Sequence, residues 1–219
     1  MSVCVMCPTR DRPGRAALLA RSVLETSDAT IVFYIDEDQW ENYKYYFPRT
    51  HPRVILESGG RQGPAASANF IAHVHREHSC YGLMCDDMEP TVRGWDRYIE
   101  EQIAGRIGVV SPSHSMGNHV DVPFVSREWI EALGWFCYPT AYHYVWPTVI
   151  GLLGEASGTI VHAPADRFFI QHHQESTRAD GIEKDALGFY KLMLYDFHNY
   201  VRKIKEAKEA EDVTSRATA

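Results

Sequence analysis

The sequence predicts an α/β fold in which helices flank a mostly parallel central sheet and a long amphipathic helix ends the chain. Short apolar runs alternate with stretches of helical spacing through the first half of the chain. The runs at 2–7, 30–35 and 81–85 are apolar almost throughout, as expected of strands that are covered on both faces. This alternation favours parallel strands joined by right-handed crossover helices.

The first half of the chain divides into four strands and three helices. We expect strands at 2–7, 30–35, 53–57 and 81–85, and helices at 16–25, 40–47 and 65–78. Loops rich in turn-forming residues follow the first strand at 8–14 and the third strand at 58–64. Pro90 has no N–H to donate, so we expect it to end the central strand.

The second half carries shorter and less regular elements. We expect helices at 92–103, 127–133 and 149–156, and strands at 107–110, 120–125, 159–162 and 168–171. Pro123 predicts that its strand lies at an edge of the sheet. A helix at 181–208 is amphipathic, with an apolar face formed by Leu187, Tyr190, Leu194 and Phe197. We expect the polar tail at 209–219 to fray, which leaves one domain at 1–208.

Composition is that of an ordinary globular domain. The 219 residues are 45% hydrophobic and 23% charged, enough for one sizeable core. The net charge of −7 gives no overall attraction to nucleic acid, although a local basic groove stays open. We find no signal peptide and no apolar run of the ~20 residues that a membrane helix needs, so we expect no membrane partner.

The cysteines predict packing roles and a reducing compartment. They are odd in number and scattered, at Cys4, Cys7, Cys80, Cys85 and Cys137. Cys4 and Cys7 form a C-x-x-C inside an apolar strand, but no second pair completes a zinc site. We therefore expect buried thiols in a cytoplasmic protein.

Two adjacent carboxylates directly follow the central strand. Asp86 and Asp87 should lie at its carboxyl end, where open α/β sheets bind ligands. Their like charges repel unless a cation lies beside them, and hard oxygen ligands suit Mn²⁺ or Mg²⁺, often with phosphate oxygens completing the coordination. The alternative is a solvated turn or a cap for the helix that begins near Thr91.

Four motifs, taken in order, resemble those of a known enzyme family. They are Pro8-Thr-Arg-Asp-Arg-Pro13 after the first strand, Asp36 after the second, Gly63 and Asn69 before the central strand, and Cys85-Asp-Asp-Met88 at its end. Their order and spacing are similar to those of GT-A fold glycosyltransferases of the large inverting family that includes chitin and cellulose synthases, with compact members in phages. The resemblance implies metal-dependent transfer of a sugar from a nucleotide-sugar donor, with a UDP-sugar expected. It makes 1–90 the nucleotide-binding half and 91–208 the acceptor-side half.

Polar groups at the ends of the first two strands are the first candidates for donor binding. Thr9, Arg10 and Arg12 supply a hydroxyl and two guanidinium groups, and arginine can fork onto a phosphate or a base. For Asp36 the resemblance implies contact with uracil or ribose, and a helix cap is the alternative.

The glycine loop at 58–64 is the next candidate. We expect Arg61 to approach the diphosphate, Gly63 to belong to the same nucleotide site, and Asn69, on the following helix, to hold the loop. The alternative is that these glycines serve only as turn residues.

For the acidic pair the resemblance assigns ribose or metal contact to Asp86 and metal coordination to Asp87. Cys85 stands where a further aspartate often occurs, which weakens the acidic motif without removing its metal-binding end. His172 and His173 follow the last predicted strand, where many metal-dependent members carry another ligand. Alternation along an extended chain turns one of the two inward, and we favour His172, with a surface pair as the alternative.

The resemblance does not identify a catalytic base. Inverting members carry an acidic base after a helix that resembles 127–133, but no Asp or Glu occurs between Glu131 and Glu155. Either His143 or Asp121 takes the acceptor proton as a general base, or the enzyme retains the anomeric configuration and needs no such base. For His143, simple packing is the alternative.

The acceptor is expected to carry a hydroxyl group, and a hydroxymethylated pyrimidine in phage DNA is one candidate. Aromatic side chains that could stack on a sugar are Tyr138, Tyr142, Tyr144 and Trp146, although core packing would also explain them. Basic residues that could line a DNA groove are Arg93, Arg97, Arg106, Lys191, Arg202, Lys203 and Lys205, with scattered solvated charge as the alternative.

Two other functions compete with glycosyl transfer. A nucleotidyltransferase would want a glycine-rich phosphate loop after the first strand, and 8–14 is not glycine-rich. A degenerate transferase that serves as a sugar-binding or scaffolding module is favoured by Cys85 and by the missing base. Release of UDP from the donor without an acceptor would separate a working transferase from a binding module.

Overall fold

The computed structural model describes residues 2–47, 51–115, 122–141, 145–173, 187 and 189–218. Within these ranges the strands, in chain order, are β1 Val3–Thr9, β2 Thr30–Asp36, β3 Val54–Gly59, β4 Cys80–Leu83, β5 Met88–Pro90, β6 Val109–Ser111, β7 Ser113–His114, β8 Phe124–Ser126, β9 Ile160–His162 and β10 Phe169–His172. The α-helices are α1 Pro13–Thr26, α2 Trp40–Tyr46, α3 Pro64–Val74, α4 Trp95–Ile103, α5 Arg127–Leu133, α6 Trp146–Ser157 and α7 Phe197–Thr218. A short 3-10 turn covers Glu37–Gln39, and a π-helical turn, Leu192–Asp196, precedes α7.

A seven-stranded sheet forms the centre of the fold, in the order β3-β2-β1-β4-β8-β6-β9. The first four strands in this order are parallel, β6 and β9 are parallel to each other, and β8 is antiparallel to both of its neighbours. The predicted mostly parallel sheet is therefore confirmed. Because β1, β2 and β4 run in the same direction, their carboxyl ends meet at one edge of the sheet.

Strand β8 corrects the prediction drawn from Pro123. It lies between β4 and β6, with Phe124 opposite Gly82 and Val125 opposite Val109, so it is not an edge strand. Its pairing begins at Phe124, one residue after the proline. The N–H that proline lacks is therefore not needed by the sheet.

Helices cover both faces of the seven-stranded sheet. Alternate residues of β1 point into two separate cores, Val5 into one and Met6 into the other. The first core packs α1 and α4 on the sheet and includes Trp95. The second packs α3, α5, α6 and α7 and includes Trp129 and Ile204.

The cysteines lie in these cores, as predicted. All five are free thiols, and four are fully enclosed: Cys4, Cys7, Cys80 and Cys137. Burial raises the pKa of the Cys7 and Cys137 thiols well above the ordinary value for cysteine. These thiols therefore stay protonated, as expected of packing residues.

The central strand is shorter than predicted. β4 ends at Leu83, and Asp86 and Asp87 form the turn that leads into β5. β5 belongs to a second sheet, in the order β5-β10-β7. Pro90 is the last residue of β5, opposite Ile170, and so it does not end β4 as the sequence suggested.

The C-terminal helix differs from the prediction in its buried face and in its length. Leu187, Tyr190 and Leu194 are exposed, whereas Leu192 and Ile204 are buried. The π-helical turn explains this, because its extra residue brings Leu192 into line with Phe197, five positions on. α7 continues to Thr218 instead of ending near Lys208. No helix among the described residues is long and apolar enough to cross a membrane.

Candidate functional site

The two adjacent aspartates lie at the carboxyl edge of the parallel strands. Asp86 and Asp87 are 3% and 4% exposed, so neither is a solvated turn residue. Neither caps a helix, since the next residues enter β5 and α4 begins only at Trp95. Two buried carboxylates in succession are costly unless positive groups or hydrogen-bond donors surround them.

Asp86 receives donors from β1 and from the residue that precedes α1. Thr9, the last residue of β1, donates its hydroxyl to Asp86 Oδ2 at 2.6 Å. Arg12 Nη2 lies 2.8 Å from Asp86 Oδ1. Arg12 is the N-cap residue of α1, and Pro13 at the first helical position fixes where that helix starts. Thr9 thus hydrogen-bonds one oxygen of Asp86, and Arg12 forms an ion pair with the other.

Tyr43 of α2 supports this arrangement and was not identified from the sequence. Its hydroxyl lies 2.8 Å from Thr9 Oγ1 and accepts the Arg12 backbone N–H at 3.3 Å. The Thr9 hydroxyl has one hydrogen and donates it to Asp86, so the Tyr43 hydroxyl must donate to Thr9. A chain of three hydrogen bonds therefore runs from the Arg12 backbone N–H through Tyr43 and Thr9 to the Asp86 carboxylate. Burial raises the pKa of Tyr43 to about 12, which keeps the phenol protonated for this role.

Asp87 faces a histidine from the second sheet. His172 lies opposite Met88 in the β5–β10 pair, and its Nε2 comes within 3.3 Å of Asp87 Oδ2. Arg12 Nη1 is 3.9 Å from the same oxygen. Asp87 Oδ1 is buried and has no hydrogen-bond partner among the described residues. The structure therefore leaves one carboxylate oxygen of Asp87 available to a further ligand.

The two neighbouring histidines diverge, as alternation along an extended chain predicts. The ring of His173 bonds Glu89 Oε2 at 2.9 Å, whereas its backbone N–H donates to the carbonyl oxygen of Asp87, also at 2.9 Å. His172 is held by its own backbone N–H, which donates to Ser115 Oγ at 3.0 Å. The structure thus brings the His172 ring, but not the His173 ring, to Asp87.

Arg10 and Asp36 form an ion pair where β1 and β2 end. Arg10 Nη1 donates to Asp36 Oδ2 at 2.6 Å, and the guanidinium forks onto Asp38 at 2.8 and 2.6 Å. These hydrogen bonds, first the one to Asp38, raise the pKa of Arg10 and lower that of Asp38. Asp36 precedes the 3-10 turn but makes no capping bond with its side chain. Its carboxylate is turned to Arg10 instead.

The glycine loop after β3 is held by a tyrosine that the sequence did not single out. Tyr34 of β2 donates its hydroxyl to the Gly60 carbonyl at 3.0 Å, and a Cβ at Gly59 would collide with that hydroxyl. Gly63 has φ of 84°, a conformation that favours glycine, and leads into Pro64 at the start of α3. Arg61 is exposed between them.

Asn69 corrects one expectation about this loop. Its side chain donates to the Cys137 carbonyl at 2.8 Å and accepts the N–H groups of Phe136 and Cys137 at 2.9 and 2.8 Å. All of these bonds go to the segment after α5, and none goes to the glycine loop. Asn69 therefore ties α3 to the second half of the chain.

The remaining candidates are the aromatic cluster, the two possible general bases and the basic residues. Tyr138 and Trp146 are both 4% exposed, and Tyr138 donates its hydroxyl to Asp196 at 2.7 Å, so packing accounts for them. Tyr142, Tyr144, His143 and Asp121 lie outside the described residues. Of the basic residues, Arg97 pairs with Asp28 and Arg202 with Glu206 on the surface.

Asp87 and His172 fit a hard divalent ion, but they do not enclose one. A buried carboxylate oxygen without a donor, with an imidazole nitrogen beside it, is the kind of ligand set that Mn²⁺ or Mg²⁺ accepts. No group of three or more His, Cys, Asp or Glu side chains in the described ranges is arranged to hold a metal ion. Such an ion would need further oxygen ligands, which the phosphates of a nucleotide commonly supply.

Solved structures of two glycosyltransferases resemble this fold. Residues 1–349 of S. aureus TarS superpose with a TM-score of 0.59 at 10% identity, covering 94% of this chain and 71% of that chain. The same TarS fragment in complex with UDP-GlcNAc gives a TM-score of 0.58 at 13% identity, with coverage of 94% and 71%. GalNAc-T7 with UDP, GalNAc and Mn²⁺ gives a TM-score of 0.71 at 10% identity, covering 97% of this chain and 54% of that chain.

No family model and no curated protein matches the chain. At identities of 10–13% the likeness concerns the fold. Both solved proteins are GT-A fold glycosyltransferases, and the mainly parallel sheet of this chain with its flanking helices matches that fold. The chain therefore has the GT-A fold, as the four sequence motifs predicted.

Proposed function

We propose that the protein is a metal-dependent glycosyltransferase that moves a sugar from a UDP-sugar to an acceptor hydroxyl. The GT-A fold supports the reaction class, and GalNAc-T7 and TarS were solved with UDP and Mn²⁺ or with UDP-GlcNAc. The observation that carries the proposal is the buried oxygen of Asp87 that has no partner among the described residues, beside the His172 ring. A nucleotide diphosphate with its divalent ion supplies what this oxygen lacks.

The three aspartates and the histidine at the strand ends have roles in this proposal. Asp87 and His172 would hold the ion, with Mn²⁺ or Mg²⁺ suited to their oxygen and nitrogen atoms. When bound, the ion supplies Lewis-acid neutralisation of the charge on the departing diphosphate. The resemblance assigns ribose or metal contact to Asp86 and uracil or ribose contact to Asp36, and both carboxylates lie at the edge where the strands end.

The cationic side chains would bind the diphosphate. Arg12 already lies beside the acidic pair, and Arg61 is exposed on the glycine loop between Gly59 and Gly63. Guanidinium groups recognise phosphate oxygens in pairs, which favours arginine at both positions. Arg10 would reach the nucleotide only after leaving Asp36 and Asp38, its partners at 2.6 to 2.8 Å.

The acceptor side is a proposal from the sequence alone. His143 or Asp121 would serve as general base if the reaction inverts the anomeric centre, and a retaining reaction would need neither. We propose a soluble hydroxyl-bearing acceptor, with a hydroxymethylated pyrimidine in DNA among those to test. The five free thiols favour a reducing compartment such as the cytoplasm.

Calorimetry with UDP and Mn²⁺ tests the metal site. Wild-type protein should bind UDP in the presence of Mn²⁺, and Asp87→Asn should lose most of the metal-dependent part of the affinity because a neutral amide lacks the negative charge of a carboxylate. Glu89→Gln is the matched control, since Glu89 lies two residues away and bonds the outward-facing His173. Undiminished metal-dependent binding by Asp87→Asn would refute the assignment.

Product analysis separates glycosyl transfer from the two competing functions. Wild-type protein incubated with Mn²⁺ and a panel of nucleotide sugars should release UDP slowly without an acceptor. Pyrophosphate release from a nucleoside triphosphate and a sugar phosphate would indicate a nucleotidyltransferase instead. Tight donor binding without any product would indicate a binding module. Adding hydroxymethylated DNA or small glycans would then identify which acceptor accelerates UDP release.

A further inference from the structure

The guanidinium of Arg12 lies between the two buried aspartates. Its Nη2 is 2.8 Å from Asp86 Oδ1, and its Nη1 is 3.9 Å from Asp87 Oδ2. The backbone of Arg12 is fixed on both sides, because its N–H donates to Tyr43 and its carbonyl accepts from Arg15 and Ala16 in the first turn of α1. The side chain is 30% exposed and can therefore move toward solvent while its backbone stays in place.

This position matters because the same acidic pair is where the divalent ion would bind. Asp87 Oδ2 is shared between Arg12 and His172, and the ion would reach Asp87 through Oδ1, the other oxygen of the same carboxylate. An ion on Asp87 would share that carboxylate with the guanidinium, and two positive charges on one carboxylate repel each other in a partly buried site. Arg12 therefore already neutralises part of the charge that a metal ion would neutralise.

We propose that Arg12 is an internal counter-ion that makes metal binding conditional on the nucleotide. This inference rests on the proposed function and concerns the regulation of the same site. Without nucleotide, the guanidinium stays on Asp86 and Asp87 and opposes the ion. A nucleoside diphosphate offers the guanidinium phosphate oxygens in place of the carboxylates, and the ion at Asp87 is then no longer opposed by the positive charge of Arg12. Nucleotide and ion consequently bind cooperatively, each raising the affinity for the other.

Removing the Arg12 guanidinium should raise the affinity of the protein for Mn²⁺ alone, although Arg12 also binds the donor in the proposed function. Arg12→Gln should bind Mn²⁺ alone at least about tenfold more tightly than wild type, measured by electron paramagnetic resonance of the free ion. The same variant should bind UDP more weakly, and UDP should then raise its Mn²⁺ affinity less than it does in wild type. Arg12→Lys keeps the positive charge and should bind Mn²⁺ alone as weakly as wild type.

Two further variants test whether the gain in Mn²⁺ affinity arises from the loss of Arg12 beside Asp87. Arg21→Gln removes one positive charge from the same helix, where Arg21 pairs with Glu25 on the surface, and should leave Mn²⁺ binding unchanged. Asp87→Asn combined with Arg12→Gln should abolish the gained affinity, because the gain arises at Asp87. Thermal melting of each variant establishes that it is folded before its binding is compared.

The binding results separate the counter-ion role of Arg12 from the proposed transferase function on which it rests. If wild type binds Mn²⁺ with UDP, but Arg12→Gln shows no gain with Mn²⁺ alone, the counter-ion role is overturned and the transferase proposal stands. If no variant binds Mn²⁺ with or without UDP, both proposals fall. A gain in Arg12→Gln that is absent from Arg12→Lys and from Arg21→Gln supports the counter-ion role.

Discussion

The side chain of Asn69 and the backbone of Cys137 are joined by two hydrogen bonds of 2.8 Å, one in each direction. A third bond, from the Phe136 N–H, also ends on Asn69 Oδ1. Asn69 belongs to α3, which follows the glycine loop, whereas Phe136 and Cys137 follow α5. One amide side chain thus satisfies three backbone groups of a buried segment and links the two halves of the chain.

Asn69→Ala should therefore destabilise the fold substantially. The substitution leaves two N–H groups and one carbonyl unpaired in a segment whose residues are at most 1% exposed. Since each orphaned buried group costs roughly 1–3 kcal/mol, we expect a loss of about 3 kcal/mol in the free energy of unfolding, measured in urea. Asn69→Asp keeps an acceptor for both N–H groups and should lose about half as much. Equal losses in the two variants would contradict this assignment of donors and acceptors.

His172 and His173 should differ in their effect on metal affinity. His172 Nε2 is 3.3 Å from Asp87, whereas the His173 ring bonds Glu89. His172→Ala should weaken Mn²⁺ binding in the presence of UDP by about tenfold or more, the scale seen when groups around a metal are removed. His173→Ala is the matched control and should leave the affinity unchanged, as measured by calorimetry. A larger loss in His173→Ala would show that the other histidine is the ligand.

Gly82→Ala should be destabilising for a steric reason. Gly82 of β4 lies opposite Phe124 of β8, and a Cβ at Gly82 would fall within the Phe124 ring. That ring cannot withdraw, because it packs against Trp95 and Phe168 at centroid distances of 5.5 and 5.4 Å. We expect a loss of about 3 kcal/mol, at the upper end of the usual cost of overpacking, measured by chemical denaturation.

Gly60→Ala provides the control for that substitution. A Cβ at Gly60 would meet no atom within 4 Å, and its carbonyl would still accept from Tyr34. The stability of Gly60→Ala should therefore stay close to wild type. If the two glycine variants were equally unstable, steric conflict with Phe124 would not be the cause.

The parts of the site that the sequence predicted follow from strand direction. Thr9, Asp36, Asp86 and Asp87 each follow or end an apolar run, and parallel strands bring their carboxyl ends to one edge. His172 was preferred over His173 by alternation along an extended chain, and the structure places the His172 ring beside Asp87. These predictions needed only the direction of the strands and the period of side chains along them.

The parts that were missed depend on how elements dock. α2 offers several aromatic residues, and only the docking of the helix shows that Tyr43 is buried while Tyr45 is 81% exposed. The partner of Asn69 lies 68 positions away, beyond the reach of local pattern. The apolar face of the last helix was misassigned because a π-helical turn changes the number of residues per turn. No residue type in 192–196 predicts such a turn.

Glu211 tests whether the C-terminal helix is ordered at 209–219, where the sequence predicted that the chain frays. Both of its carboxylate oxygens lie 2.8 Å from the backbone N–H of Ile107, which is 4% exposed and has just left the turn after α4. Glu211→Ala should leave that N–H without its acceptor and lower the free energy of unfolding by about 1–2 kcal/mol. The Ile107 amide should also exchange its hydrogen faster, as measured by exchange in D₂O. Glu209→Ala, on the exposed side of the same helix, should change neither quantity. A frayed tail would instead make the two glutamate variants indistinguishable, because neither side chain would then hold a fixed partner.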